Sequence, residues 1–288
     1  MDRLFNGGRV RRPLERGAPD TADLRAAWAD ATALPSVELT ASPGAPGLAD
    51  TKIGGLPYLA PGQEWPALAG GAPELFLLAQ LNLGQLPPVA GLPARGLLQF
   101  FVAGDDTHGM NYRDPAAGSG HTVLFHPDPS IPGAEPGLGS AEPPARPDLD
   151  RAVEYMEVPF TTTEGVRLTG AVTSQPMPPD DFRFAVTVDR LTQGLPGLGS
   201  LGDSPGGSPE PWAIAARGHR VGGYARFVHR DPRSDSQFAG FTTLLLQLDS
   251  DESAGIVWGD GGACGFFIEP ARLAARDFSR VLYGWDCP

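Results

Sequence analysis

The hydrophobic pattern of this chain consists mainly of short, continuously apolar runs. The run at residues 76–81 (FLLAQL) is too short and too uniformly apolar for an amphipathic helix, and Pro73 and Gly84 bound it. Such bounded runs are typical of buried β-strands. The pattern therefore predicts an α+β fold with a mainly antiparallel β-sheet and a few short helices.

Two segments have the pattern of short helices. Asp20 can cap a helix over residues 21–32, where Leu24 and Trp28 fall on one apolar face. Near the C-terminus, Pro270 follows Glu269 and can open a second helix. Both helices are expected to pack on the sheet rather than to form a layer of their own.

Alternating patterns predict further strands. Apolar and polar residues alternate at residues 36–40, 122–126 and 182–188. Residues 154–160 and 165–172 are predicted to be edge strands, because Pro159 in the first of them cannot donate a hydrogen bond to a neighbour. The stretches 127–150 and 195–211 are rich in proline and glycine, which favours loops or linkers.

Part of the chain repeats itself, which predicts an internal duplication of two β units related by a pseudo-twofold axis. Gly55 and Gly223 lie 168 positions apart, whereas Gln80 and Gln247, like Phe100 and Phe267, lie 167 positions apart. The domain prediction is a flexible N-terminal arm at 1–19 and a single domain at 20–288. Within that domain the first repeat is 51–106, the connecting region 107–219 and the second repeat 220–288.

The two repeated glutamines each close an apolar run. A side-chain amide costs about 1–3 kcal/mol in a core unless its donors and acceptor are satisfied. Gln80 and Gln247 are therefore expected to hydrogen-bond neighbouring strand backbone, with ligand binding as the alternative.

Composition and charge narrow the classes of partner. The chain has 22 Lys and Arg against 34 Asp and Glu, a net charge of −12 and a pI near 4.8. An acidic surface repels the phosphate backbone, so nucleic acid is not expected as a partner. A basic protein or a neutral small molecule remains, and the oligomeric state is not predicted.

Localisation and metal chemistry follow from what the sequence contains. The N-terminal residues are basic without a following apolar segment, and no apolar run is long enough to span a membrane. The expectation is a cytoplasmic protein with no membrane partner. Its two cysteines, Cys264 and Cys287, cannot form a four-thiolate zinc site, and Cys264 is interpreted as a core residue.

Several motifs in order carry a family resemblance. They are the segments 52–59 (KIGGLPYL), 63–66 (QEWP), 77–83 (LLAQLNL), 258–260 (WGD) and 282–287 (LYGWDC). The chain resembles the YwqG-like family, bacterial proteins that carry a domain of unknown function, over about residues 20–288. The resemblance implies the fold but no catalytic residues. Since some members are described as neighbours of toxin genes, it also implies an immunity-like role.

One candidate site is the acidic turn after the second glutamine run. Asp249, Asp251 and Glu252 alternate in the manner of the start of a calcium loop. The glycine and the distant glutamate of a complete calcium loop are missing, which favours a solvated turn. A metal site and a solvated turn both remain open.

A second candidate is the polar loop that follows residue 104. Asp105, Asp106 and His108 could supply hard metal ligands or a general base. The sequence does not indicate whether these side chains meet other acids in space.

A third candidate is a set of aromatic side chains. Tyr58, Trp65, Trp258 and Trp285 could line a ligand groove between the two repeats. Asp260, a further ligand candidate, could instead join the acidic turn. Tryptophan in a β-rich core more often serves packing, so the two interpretations stand side by side.

Two functional hypotheses follow. The chain has no nucleophile elbow, phosphate loop, dinucleotide fingerprint or zinc-protease motif, and no cofactor is predicted. The preferred hypothesis is a non-enzymatic binding or interaction module, for example one that sequesters a basic protein partner. The alternative is a metal-assisted hydrolase that uses the acidic loops.

Overall fold

A single antiparallel sheet of ten strands dominates the computed structural model, which describes residues 21–68, 74–129, 146–192 and 216–288. The strands are β1 (Leu34–Ala41), β2 (Lys52–Ile53), β3 (Leu75–Asn82), β4 (Leu97–Ala103), β5 (His121–His126), β6 (Val166–Gln175), β7 (His219–Gly222), β8 (Thr243–Asp249), β9 (Ala263–Ile268) and β10 (Leu282–Asp286). Their order across the sheet is β10-β9-β8-β7-β1-β6-β2-β3-β4-β5. The predicted β-rich fold is confirmed. The predicted arm at 1–19 and the connection at 195–211 lie outside the described residues.

Within the described ranges, four α-helices accompany the sheet. They are α1 (Thr21–Thr32), α2 (Leu149–Glu154), α3 (Phe184–Thr192) and α4 (Pro270–Ala275). The prediction of α1 is confirmed, and Leu24 and Trp28 pack together as expected. The prediction of α4 is also confirmed, although the Glu269 side chain makes no capping hydrogen bond.

Of the two predicted edge strands, the second is a strand but does not lie at an edge, and the first is not a strand. Residues 166–175 form β6, which pairs with β1 on one side and with β2 on the other. Pro159 lies outside this strand, so it does not restrict pairing. Residues 154–160 contain no strand: α2 ends there, Met156 adopts a left-handed φ of 55°, and Phe160 makes only an isolated bridge to Ile256.

The strand predicted at 182–188 is a helix. Phe184, Val188 and Leu191 recur at helical spacing and pack against Trp28. The intervening Val186 is 66% exposed, which an inward-facing strand position would not allow. The segment FRFAVTVDRL satisfies both periods, and contact with α1 selects the helical one.

The sheet curls until its two edge strands, β5 and β10, approach each other, so it is nearly closed and barrel-like. On the β5 side, a ring nitrogen of His121 (Nε2) lies 2.8 Å from the backbone oxygen of Val281. The His121 and Tyr283 rings are 5.2 Å apart across the same seam. Tyr283 also donates its backbone N–H to Pro115, in the loop that covers this seam.

The core lies on the inner face of the sheet. Alternate residues of each strand point inward, as Phe100 on β4 and Phe266 on β9 do with ring centroids 4.9 Å apart. Two smaller clusters cover the outer face, one around Phe101 and one around Phe267. Because β9 and β10 therefore have an inner and an outer face, their outer residues are available for a site.

The two glutamines hydrogen-bond backbone as expected, but their partners lie in loops and not in neighbouring strands. Gln80 accepts from the backbone N–H of Tyr58 and donates to the backbone oxygens of Leu48 and Asp50. Gln247 accepts from the backbone N–H of Arg226 and donates to two backbone oxygens in the same way, those of Ala216 and Gly218. Both amides are fully buried and hold loops against the sheet.

In the part of the chain that the structure describes, none of the helices has the length and apolar character needed to cross a membrane.

Candidate functional site

A pocket of about 190 Å³ opens on the outer face of β9 and β10. Two segments flank it, residues 110–115 on one side and residues 226–232 on the other. The second segment is held in place by Asp286, whose carboxylate accepts from the backbone N–H groups of Val228 and His229 at 2.8 and 2.9 Å. The pocket therefore has a strand floor and two walls of fixed loop backbone.

Two glycines that face each other across adjacent strands underlie the pocket. Gly265 on β9 is directly opposite Gly284 on β10, and both line the pocket. A Cβ built on Gly265 would lie 2.7 Å from the Phe267 ring, so this glycine lets that ring lie across the strand. A Cβ built on Gly284 would meet only the sulfur of Met110, at 3.6 Å. Gly284 therefore leaves open space above the strand.

The corresponding positions in the other half of the sheet are filled. Gln247 on β8 pairs with Gly265, whereas Gln80 on β3 pairs with Gln99. The residue opposite Gln99 on β5 is Leu124, which packs on the outer cluster of that half. This strand geometry thus accommodates large side chains, and the paired glycines are not a requirement of the sheet.

The walls of the pocket are largely aromatic. Phe227 stacks on Phe267 with centroids 6.0 Å apart and an interplanar angle of 19°. Met110 and Trp285 line the opposite side, and Tyr112 stands at its mouth with 72% of its surface exposed. An apolar cavity with few polar groups is the usual form of a small-molecule site.

Positive charge accompanies these walls. Arg226 and Arg230 line the pocket together with Asp286. Arg226 is nearly buried and pairs with Asp249 at 2.8 Å, so its guanidinium is fixed. Arg230 lies exposed at the rim. Asp249 therefore offsets the charge of Arg226, and Arg230 is the cation of the lining that is exposed to solvent.

A buried ionic network packs against the Phe267 ring. The Arg233 guanidinium lies 4.3 Å from the centre of the Phe267 ring and 5.5 Å from that of Phe227. It forms an ion pair with Asp231 at 2.7 Å and lies 3.3 Å from Asp181. Although burial raises the pKa of Asp181, hydrogen bonds and charge from Arg183 and Arg233 hold it below its usual value. The network keeps both aromatic rings at fixed positions.

Three candidate residues converge beside the pocket. His108 lies 5.2 Å from Trp285 and 5.8 Å from Trp258, measured between ring centroids. His108 is 9% exposed and Trp258 is fully buried, so only Trp285 reaches the pocket lining. Trp285 donates its indole N–H to the Thr107 backbone oxygen at 2.7 Å. This cluster packs the loop 105–110 against β10.

The two aspartates of that loop have other positions. Asp105 accepts hydrogen bonds from the backbone N–H groups of Thr107 and Gly109 and from the Thr107 hydroxyl, which shapes the loop. Asp106 is exposed. Nothing in this arrangement directs either carboxylate towards the pocket.

The acidic turn is committed to local structure. Asp249 accepts from the Gly218 backbone N–H and pairs with Arg226. Asp251 caps a short 3₁₀ helix by accepting from Ser253, and it lies 3.3 Å from Nε2 of His219. Burial raises the pKa of Asp251, but the Ser253 hydrogen bonds outweigh it and the pKa lies below its usual value. Glu252 is exposed. Within the described ranges, no three His, Cys, Asp or Glu side chains group to hold a metal ion.

The remaining candidates are dispersed. Tyr58 is buried with its ring edge on His126. Trp65 donates to the Leu75 backbone oxygen and packs edge-on against Phe101, in the half of the sheet that is remote from the pocket. Asp260 is exposed on the turn before β9. The structure therefore joins Trp258, Trp285 and His108, and leaves the others apart.

Sequence reasoning did not single out the pocket itself. Gly265, Gly284, Arg226 and Arg230 were not among the candidates. A signal was available, since a glycine inside an apolar strand often marks a close approach of a ligand or of another backbone. Both glycines interrupt such strands, in the segments ACGFFI and LYGWD. That the two glycines lie opposite each other depends on the register between β9 and β10, which cannot be derived from the sequence.

Comparison with known proteins places the chain in a family of unestablished function. No curated protein matches it. The family model described as "Domain of unknown function (DUF1963)" matches residues 51–287, which covers most of the chain and includes the pocket and every strand of the sheet except β1. The resemblance found in the sequence motifs is thereby confirmed, and the protein belongs to the DUF1963 family.

Proposed function

We propose that this protein is a non-enzymatic binding module whose ligand is a small planar molecule held in the pocket over Gly265 and Gly284. The observation that carries the proposal is the pairing of these two glycines beneath aromatic walls. Glycine in a strand costs stability, because it adds backbone entropy to the unfolded chain and gives up packing. The other half of the sheet has Gln99 and Leu124 at the corresponding positions. Here the Phe267 ring lies over Gly265, whereas the space over Gly284 is open to a ligand.

The size of the pocket supports a single-ring ligand. A cavity of about 150 Å³ is large enough for benzene. The pocket here is about 190 Å³ and opens towards solvent beside Tyr112. A ring could enter at the mouth, lie over Gly284 and contact Phe227 on one side and Met110 on the other.

The alternative of a metal-assisted hydrolase has less support. Asp249 accepts a hydrogen bond from the Gly218 backbone N–H and pairs with Arg226. Asp251 accepts from the backbone N–H of Ser253. A hydrolase of this type needs a cation held by several oxygen ligands with an open position for water. Among the described residues, no three His, Cys, Asp or Glu side chains lie close enough together to hold such a cation.

The proposal is tested by filling the pocket from its floor. Gly284→Leu would place a side chain where only the Met110 sulfur is close, so the fold should be kept. Binding of small planar compounds from a fragment collection is followed by ligand-observed NMR. Wild type should bind a subset that Gly284→Leu does not bind, and Gly284→Ala should retain weaker binding. Equal binding to wild type and to Gly284→Leu would place the ligand elsewhere and overturn the proposal.

We further propose that the two halves of the sheet arose by internal duplication. The sheet divides between β1 and β6 into two halves of five strands. One half has the order β10-β9-β8-β7-β1, and the other has the order β6-β2-β3-β4-β5. β3 and β8 each shift register at matching points, between Leu77 and Ala79 and between Leu244 and Leu246. Gln80 accepts a hydrogen bond from the backbone N–H of Tyr58, and Gln247 accepts the equivalent one from Arg226. The two donor residues lie 168 positions apart in the sequence.

One sequence anchor for the duplication needs correction. The sequence alignment matched Phe100 with Phe267. In the strand registers, Phe100 is opposite Ala79 and Phe266 is opposite Leu246. Phe266 is therefore the counterpart of Phe100, and the match between β4 and β9 moves by one residue. The earlier match would exchange an inward ring for an outward one, because side chains alternate along a strand.

A further inference from the structure

We infer that the ligand of this pocket carries a negative charge, and that its class is a small planar carboxylate such as an aromatic acid. This inference rests on the proposed function, since it assigns a charge to the occupant of the same pocket. It begins from the charged side chains of the lining, which are Arg226, Arg230 and Asp286. Because Asp249 pairs with Arg226 at 2.8 Å, Arg230 is the cation that is left to meet a ligand.

The carboxylate of Asp286 is already engaged by the protein. One of its oxygens accepts from both Val228 and His229, which holds the loop that carries Arg230. Asp286 thus holds the wall through two backbone N–H groups. Arg226 is balanced by Asp249, so the side chain best placed to meet an anion is Arg230 at the rim.

Guanidinium geometry favours a carboxylate over a spherical anion. An arginine can donate two parallel N–H groups to the two oxygens of one carboxylate. A ring that lies over Gly284 would direct a substituent towards the exposed rim where Arg230 stands. Apolar walls and a cationic rim together suit an aromatic ring with one acidic substituent.

A cationic ligand is disfavoured by the rings themselves. Aromatic faces attract cations, but Arg233 already occupies the Phe267 face at 4.3 Å and also approaches Phe227. A second cation would meet Arg226 and Arg230 without gaining a free ring face there. Phe267 and Phe227 are therefore already engaged by a guanidinium group, and the exposed Arg230 would repel a second cation.

The test uses three compounds of one shape and different charge: benzoate, benzamide and benzamidine. Their dissociation constants are measured by NMR titration of the full-length protein. Benzoate should bind about tenfold tighter than benzamide, in keeping with a charge-assisted hydrogen bond, and benzamidine should bind most weakly. Tighter or equal binding of benzamidine would overturn the inference.

Two arginine variants locate the charge effect. Arg230→Gln should weaken benzoate about tenfold while changing benzamide less than about twofold. Arg95→Gln is the matched control, since Arg95 is an exposed arginine before β4 and its loss removes the same net charge. If both variants weaken benzoate equally, or if Arg230→Gln has no effect, the inference is wrong.

The outcomes separate this inference from the proposed function. Benzamide and benzoate that bind equally, and that both fail to bind Gly284→Leu, would leave the pocket as a ligand site but overturn the anionic class. Absence of saturable benzoate binding would also overturn the anionic class. The proposed function would then be judged by the broader set of planar compounds and by Gly284→Leu alone.

Discussion

At the scale of single residues, buried polar side chains determine how loops attach to the sheet. Gln80 makes three hydrogen bonds to backbone and a fourth to the Gln99 side chain at 2.8 Å. Lys52 is 2% exposed and donates to the backbone oxygens of Gly47 and Leu48. These contacts fix the segment before β2, so their loss should be visible in the stability of the whole protein.

The first prediction concerns the central glutamines. Gln80→Leu leaves buried backbone groups without partners, and each such group costs about 1–3 kcal/mol. Both Gln80→Leu and Gln247→Leu should lower the urea midpoint without changing the slope. Gln237→Leu, at an exposed position, is the control and should have little effect. An unchanged midpoint for Gln80→Leu would mean that its amide is solvated.

The second prediction concerns pH and Lys52. Burial, partly offset by Asp50, lowers the pKa of Lys52 from 10.5 to about 8. Between pH 8 and 10 the unfolded chain therefore holds more protons at this residue than the folded protein does, so stability rises with pH. The wild type should gain up to about 2 kcal/mol relative to Lys52→Met over this interval, from 1.36 kcal/mol per pKa unit.

Urea titrations at pH 7, 8, 9 and 10 check this prediction. The comparison with Lys52→Met cancels other titrating groups, including Tyr224, whose pKa is raised by burial to about 12. A free-energy difference between the two proteins that stays constant with pH would show that Lys52 titrates normally.

At the scale of elements, contacts between segments override local pattern. The strand prediction at 182–188 relied on alternation, but Phe184 packs edge-on against Trp28 at 5.1 Å and is followed by Val188 and Leu191 at helical spacing. The sequence contains both periods and does not reveal that α1 lies nearby. The buried runs in β3, β4 and β9 were predictable because they are short and almost continuously apolar, which is typical of buried strands.

The third prediction separates the helical from the strand structure of residues 184–192. Val186→Ala should be neutral or stabilise the protein by up to about 0.5 kcal/mol, because alanine has the higher helix propensity and Val186 is exposed. Val188→Ala should destabilise it by about 1 kcal/mol through lost packing. Thermal unfolding of both variants measures the difference. A larger loss for Val186→Ala than for Val188→Ala would favour an inward-facing strand.

The candidate site shows the limits of sequence analysis at the same scale. Trp258, Trp285 and His108 were chosen from two different clusters, and the structure brings them together because the 105–110 loop packs on β10. The acidic turn had a ligand-like spacing, but its oxygens face the Gly218 and Ser253 N–H groups. Direction of a side chain is a tertiary property, so residue type and spacing alone could not separate these cases.

At the scale of the whole molecule, one sheet bears two halves with different outer faces. Gln99 and Leu124 fill one half, whereas in the other half the Phe267 ring lies over Gly265 and the space over Gly284 is open. The proposed duplication explains how such a difference arises: two related units share a core, and one outer face is free to change. An experimental structure in which Gln80 and Gln247 do not superpose at equivalent strand positions would contradict the duplication.

The central claim is that the pocket over Gly265 and Gly284 is where this protein binds its ligand. A crystallographic screen, in which crystals are soaked with planar single-ring fragments, tests it most directly. We expect bound rings to lie over Gly284, between Phe227 and Met110, with acidic substituents at Arg230. Crystals of Gly284→Leu should show no ring there. Fragments that collect at another place in the wild type, with this pocket empty, would contradict it.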